Sequence, residues 1–314
     1  MSLNTKSQNG QELVLVSVVY PTETSQKQAI LLADSIRTFG GDLARVPLWW
    51  YVPRYTPGEG QPAPELDAET QKRLRALGVE IIPFEVELAV ARFFFAADLA
   101  AAALAEERAT GQATQLAWLT ANTLVLQEPQ AFVLDEEIAV GYRPVHHINV
   151  GSPFREPLDP FWSTVYRTCD VPRERVFAME THVDRAVIRP YVNAGHLVVR
   201  PEQGLLRAWH DTFFDVYRAA EFDAFYRQDQ RYFIFVHQAI LSGVLLASLS
   251  RQAMQELPAT YNYPLHLYAE DVTADRPTAL DELVTCRYED WGDLERLPLA
   301  AGEGYRTWLE QRLG

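Results

Sequence analysis

Leu13 to Tyr20 reads LVLVSVVY, an apolar run rich in valine and broken only by Ser17. A run of that length without regular polar alternation suits a strand buried on both faces, as in a parallel sheet with helices on either side. The neighbouring segments keep to that plan. Pro21-Thr22-Glu23-Thr24-Ser25 turns the chain into a helix, Ala29, Leu32, Ile36 and Phe39 recur at helical spacing, and Gly40-Gly41 ends it. Val46 to Val52 is the next strand, Pro53 to Pro64 an exposed loop, Glu65 to Leu77 an amphipathic helix closed by Gly78, and Val79 to Phe84 a third strand. Phe93 to Arg108 is an alanine-rich, deeply packed helix, and Gln115 to Leu119 a fourth strand. Strand–helix alternation of this kind predicts an α/β fold with a mostly parallel central sheet.

The second half is more mixed. Glu137 to Tyr142 and Val145 to Val150 read as short strands, and Pro157 to Cys169 and Gln203 to Tyr217 as helices. Val187 to Arg200 reads as two strand pieces around Asn193-Ala194-Gly195, Arg231 to Ser248 as an apolar helix, and Leu283 to Cys286 as a late strand. The expected organisation is a flexible N-terminus over 1–12 and a single domain over 13–314 whose C-terminal part is rich in loops.

The charge balance narrows the partners. With 42 acidic and 28 basic residues the net charge is −14. Phosphate neutralisation needs a basic surface, so nucleic acid is excluded as an expected partner, and an anionic membrane surface is disfavoured. One phosphorylated small molecule needs only a local pocket of donors. Cys169 and Cys286, the two cysteines, form neither a disulfide framework nor a zinc spacing, and are expected as buried free thiols. No apolar run reaches the ~18–20 residues of a membrane span. MSLNTKSQNGQE at the start lacks the apolar core of a signal peptide, so a cytoplasmic location is expected.

In open α/β sheets ligands bind outside the carboxyl ends of strands, near a topological switch point. Val19-Tyr20-Pro21-Thr22 and Thr120-Ala121-Asn122 are the two candidate positions. Neither a Gly-x-Gly-x-x-Gly fingerprint nor a P-loop is present, which removes the main support for a dinucleotide oxidoreductase or an NTPase.

Four pieces, in order along the chain, carry a family resemblance. They are VLVSVVYPT followed by LLADSIRTFGG; AWLTANTLVLQEP; YVNAGHLVVRPEQGLLRAW; and HQAILSG followed by LPATYNYP. Together they resemble the GT-A fold glycosyltransferases, nearest in character to the glycogenin-like and galactosyltransferase-like family eight enzymes. The resemblance implies a three-layer nucleotide-diphospho-sugar transferase fold and transfer of a sugar from a nucleotide-sugar donor to a carbohydrate or other small acceptor. The chain departs from that family at three places. The Asp-X-Asp metal motif is replaced by Thr120-Ala121-Asn122, the late His-Tyr pair by Thr285-Cys286-Arg287-Tyr288, and the Asp preceding Gln by His237 before Gln238. Each change removes negative charge or metal affinity, and neutral amides and hydroxyls are poor ligands for a hard divalent cation. The expectation is therefore a transferase with no metal and no other cofactor, with Arg287 neutralising the diphosphate directly. The alternative is a catalytically silent carbohydrate- or nucleotide-binding module on the same fold.

Residue roles follow from position and type. Tyr20 and Thr22 border the nucleotide, and Asn122 stands in for the metal motif. Asn193 and Gln238 hold the sugar through amides, and Gly195 lets the backbone approach closely. Asn149, two residues after the His146-His147 pair, joins the substrate-binding set. His146 or His237 serves the acceptor as base. Plainer readings stand beside these: an ion pair for Arg287 with Glu289 or Asp290, an ordinary polar turn for Thr120-Ala121-Asn122, satisfaction of a buried neighbour for Gln238, and core packing for Phe93, Phe94, Phe95, Trp162 and Trp209. A third function, metal-dependent hydrolysis, would draw on His146, His182 and Asp184.

Overall fold

The computed structural model describes residues 11–55, 65–87, 90 and 93–313. Most of the stretch expected to be flexible, and most of the loop expected over Pro53 to Pro64, lie outside the described residues. In chain order the first elements are β1 (Gln11–Val18), α1 (Glu23–Phe39), β2 (Leu48–Tyr55), α2 (Ala68–Ala76), β3 (Val79–Val86), α3 (Ala96–Ala109), β4 (Ala113–Leu119) and β5 (Thr123–Val125). Then come β6 (Val140–Pro144), α4 (Pro160–Thr168), β7 (Met179–Glu180), β8 (Val187–Ile188), β9 (Val192–Val199), α5 (Leu205–Val216), α6 (Ala220–Gln228) and α7 (Gln230–Ser248). β10 (Met254–Glu256), β11 (Tyr263–Pro264), β12 (Thr285–Arg287), α8 (Trp291–Glu295) and α9 (Glu303–Leu313) complete the order.

The helices start and stop where local chemistry allows. Thr22 caps α1 by accepting the Ser25 N–H at 3.3 Å, and Gly40 closes it with its own N–H on the Ile36 carbonyl. Asp67 caps α2 through Thr70, and Gly78, at φ 70°, takes the left-handed turn into β3. α5 has no side-chain cap on its own N-terminus. Glu106, buried on α3, supplies one instead, accepting the backbone N–H of Leu206 at 3.0 Å and of Arg207 at 2.9 Å. Burial pushes the Glu106 carboxyl up, and those N–H groups with Arg207 pull it back.

Seven strands form the central sheet in the order β10-β6-β9-β4-β1-β2-β3. β1 is parallel to β2 and β4, β2 to β3, and β10 to β6; β9 runs antiparallel to both β4 and β6. Along β1 the pleat sends Leu13 and Leu15 to the α1 face with Leu32, Ile36 and Trp50. Val14, Val16 and Val18 face the opposite layer with Leu99, Ala102 and Trp118. Both faces of β1 are thus sealed, and each such side chain contributes roughly 1.5–3 kcal/mol relative to exposure. This is the three-layer arrangement that LVLVSVVY implied. A smaller sheet, β11-β12-β5, ties the C-terminal part to the turn after β4, with Arg287 paired opposite Thr123.

Several expectations need correction. Val145 to Val150 is not a strand: Pro144 ends β6, and Asn149 sits exposed at φ 42° in a turn. Asn193-Ala194-Gly195 does not divide two strands, because it lies inside β9; the break falls before Tyr191, at Pro190. The late strand is Thr285–Arg287 rather than Leu283 to Cys286. α7 is long and apolar enough to cross a bilayer by length and composition alone, yet it packs as a core helix with Ala239, Ile240, Leu241 and Leu245 buried. Cys169 and Cys286 are buried free thiols, as expected.

Candidate active site

The parallel strands β1 and β4 end at the same edge of the sheet. β9 is antiparallel, so its beginning lies at that edge too, and the Thr120 N–H donates to the Gly195 carbonyl at 3.0 Å. β9 loses regular pairing with β6 here, where the register shifts between Tyr142 and Pro144. Its N–H groups at Val192 and Ala194 turn to α7 instead. Val192 N–H donates to Ser242 Oγ at 2.9 Å and Ala194 N–H to Gln238 Oε1 at 3.0 Å. Ser242 follows Gln238 by four residues, so both reach β9 from one helix face.

A pocket opens between these elements. Thr120, Gly195, His237, Gln238 and Arg287 line it, together with Asp98 from the first turn of α3. Phe95, Trp118, Trp209 and Phe235 supply its apolar walls. A β-carbon on Gly195 would lie 3.0 Å from Thr120 Cγ2 and 3.3 Å from an Arg287 Nη, so the backbone here forms a floor that no larger residue fits without displacement.

His237 is held on three sides. Its ring stacks on Phe95 at 4.2 Å, its Nδ1 is 2.9 Å from the Ile234 carbonyl, and its own carbonyl accepts the Trp209 indole N–H at 2.7 Å. Donation from Nδ1 leaves Nε2 with its lone pair free to accept. Burial, with the Arg287 guanidinium nearby, pushes the imidazole down to about 3, so it stays neutral through the physiological range. Arg287 makes the ion pair with Glu289, at 3.1 Å, and it also lines the pocket.

Other expected residues lie further off or are already engaged. Asn122 donates from Nδ2 to the Tyr288 carbonyl at 2.7 Å, and its backbone carbonyl accepts the Tyr288 N–H at 3.2 Å. Its side chain and backbone together therefore clasp the segment after β12. Thr22 spends its hydroxyl on the helix cap. Asn149 is in an exposed turn and is absent from the pocket lining. Asn193 is buried, with Oδ1 accepting the Gly195 N–H at 2.9 Å and Nδ2 lying 3.4 Å from His146 Nε2. Neither Asn193 nor His146 is among the residues that line the pocket, although both were expected in the site. Burial, then Arg287, His182 and His266, push the His146 imidazole well below the ordinary value.

The hydrolase reading fails on geometry. Arg143 donates to His182 Nδ1 at 2.8 Å, and Asp184 is taken by Thr181, the Ile148 N–H and His147. Among the described residues no three His, Cys, Asp or Glu side chains gather as a metal site. The divalent ion implied by the resemblance does not fit the positions expected to hold it. They carry a hydroxyl, an engaged amide and a guanidinium, which is the wrong donor set for a hard cation.

Two pocket features escaped the sequence reading. Phe95, assigned to the core, is half-buried on the pocket wall, and its neighbour Phe94 is 62% exposed. Asp98 was not singled out at all. Its Oδ2 accepts the hydroxyl of Tyr20, and burial pushes its carboxyl up to about 6 against the pull of that hydrogen bond. The readable signal was a single acid among the alanines that open the Phe93 to Arg108 helix.

Comparison with known proteins agrees with this architecture. The family described as "Rhodobacterales glycosyltransferase domain" matches residues 16–247. No curated protein matches the chain. Among solved structures, the galactosyltransferase LgtC in complex with donor and acceptor sugar analogs is similar at 13% identity and a TM-score of 0.53, covering 94% of this chain and 99% of that one. An active-site Gln-to-Glu mutant of LgtC is similar at 11% identity and a TM-score of 0.51, covering 93% and 99%. Likeness at that identity establishes the fold, which is GT-A-like.

Proposed function

The chain belongs to the Rhodobacterales glycosyltransferase domain family, and on that premise we propose that it transfers a sugar from a nucleotide-sugar donor to a carbohydrate or other small acceptor without a divalent metal. One observation carries the metal-free part of this reading. Among the described residues, Arg287 is the cation lining the pocket, at the position where the resemblance expects a metal ligand.

Transfer breaks the bond between the anomeric carbon and the diphosphate, and negative charge develops on the departing oxygen. A guanidinium suits that charge, with a planar fork of donors and no protonation equilibrium to lose. Gln238 spends Oε1 on Ala194, which fixes its amide plane, and in this reading its Nε2 faces a sugar hydroxyl. The neighbour with an altered active-site glutamine makes Gln238 the amide to test first. His237 offers Nε2 as a neutral acceptor, and His146 orients Asn193.

A thermal-shift panel of nucleotide sugars, run with chelator and with manganese, tests the reading. Stabilisation by one nucleotide sugar is expected in chelator, with loss in Arg287→Ala. A strict manganese requirement would overturn the metal-free assignment while leaving family membership intact. Stabilisation by free sugars alone, with none by nucleotide sugars, would favour the binding-module alternative.

A further inference from the structure

Among the described residues lining the pocket, Asp98 is the one carboxylate. A helix's first turn is an ordinary place for an acid, where the macrodipole favours negative charge. Asp98 does more than occupy that place. The N-cap of α3 is Phe95, which makes no side-chain cap, and besides its own backbone N–H the partner of the Asp98 carboxylate is the Tyr20 hydroxyl beyond the end of β1. That bond spans from α3 to the strand edge and fixes one carboxylate oxygen. The residue keeps partial contact with solvent where it borders the pocket. One turn earlier on α3, Phe95 stacks on His237, whose Nε2 is the pocket's neutral acceptor. α3 and α7 therefore each bring a hydrogen-bond acceptor to the lining of one aromatic-walled pocket. Acceptors in such surroundings need donors, and a sugar's hydroxyls are donors on an otherwise apolar ring face.

We propose that Asp98 is a sugar-recognition residue of this pocket: with Tyr20 holding Oδ2, the carboxylate accepts a hydroxyl of a neutral hexose beside His237. This assignment rests on the nucleotide-sugar reading above and deepens it. It also gives Tyr20 a role different from the expected one, since Tyr20 acts through Asp98 rather than bordering the nucleotide. A donor whose sugar carries its own carboxylate is disfavoured, because the two anions would meet in a half-buried site.

The test titrates the full chain with uridine-, guanosine-, adenosine- and thymidine-diphosphate hexoses and with the matching nucleoside diphosphates. Wild type is compared with Asp98→Asn and Tyr20→Phe. A charged acceptor lost from the sugar should weaken the preferred nucleotide hexose about tenfold or more in Asp98→Asn. The nucleoside diphosphate, which does not reach Asp98, should bind as in wild type, and this also reports that the variant is folded. Tyr20→Phe should weaken the hexose in the same sense by a smaller factor. Equal losses for hexose and diphosphate, or no loss for either, would overturn the assignment and leave the transferase reading standing. Binding of nucleoside diphosphates with no preference for any hexose form in wild type would overturn both.

Discussion

Replacing Asp98 with asparagine should stabilise the protein at neutral pH and do so progressively less as the medium is acidified. The folded chain raises this carboxyl from 3.8 to about 6, mainly by burial. A tenfold change in acidity corresponds to about 1.4 kcal/mol, so the ionised form is disfavoured by about 3 kcal/mol in the folded state. Because the folded value lies above the unfolded one, the folded chain holds this proton more tightly. That contribution is fully present below 3.8 and is lost as pH rises through about 6. Asparagine keeps an oxygen for the Tyr20 hydroxyl and carries no charge to desolvate. The stability difference between variant and wild type should therefore grow by roughly 2 kcal/mol between about pH 4.5 and about pH 7.5, the remainder falling below that window. Urea unfolding of both proteins at several pH values measures it. A difference that stays constant across the window, or one that grows toward acid, would refute the burial argument.

Glu106→Ala should lower stability by roughly 2–3 kcal/mol, because two backbone N–H groups at the start of α5 lose their acceptor; thermal unfolding reads this as a drop of several degrees. Gly195→Ala should leave the melting temperature within a few degrees and weaken donor binding, since its β-carbon meets Thr120 and Arg287 at the pocket floor; calorimetric titration separates the two effects. Gly243→Ala should cost about 1–3 kcal/mol through overpacking, as the new methyl would lie 2.6 Å from Cys169 Sγ where α7 crosses α4, and chemical denaturation checks it. Arg287→Lys should recover only a small part of what Arg287→Ala loses in transfer rate, because an ammonium lacks the planar fork that also engages Glu289.

The features legible in the sequence are those decided locally. LVLVSVVY has no polar face, so it had to be covered on both sides, and β1 is. Gly78 ends its helix because the backbone takes φ 70° there, which favours glycine. Gln238 on an apolar helix announced an amide with a buried task, and it has one at Ala194. What stayed hidden depends on partners far along the chain. Asn122 reads as a free turn amide until Tyr288, 166 residues later, arrives to occupy it. Asp98 reads as a helix-start acid until Tyr20, 78 residues earlier, turns it toward the pocket. His146 and His237 look equivalent as titratable groups, and only their depth relative to Asn193 and Phe95 separates them.

The pocket's existence follows from one interruption in the sheet. Had β6 kept its register on β9 beyond Tyr142, the backbone of β9 from Val192 to Ala194 would be paired with a neighbouring strand. Gln238 Oε1 would then lose its backbone donor in an apolar helix, an expensive arrangement. The register shift releases the N–H groups of Val192 and Ala194, and α7 meets them with residues four apart. That docking sets the depth at which His237, one residue before Gln238, meets Phe95 and the start of α3. Arg287 approaches from a separate sheet whose register on β5 is fixed by Thr123 opposite it. Asp98 on α3 and Arg287 on β12 take no part in the hydrogen bonds that dock α7 on β9, so each can be substituted with the pocket's outline kept and its separate effect on donor binding read, whereas substituting Gln238 also removes the acceptor of the Ala194 N–H.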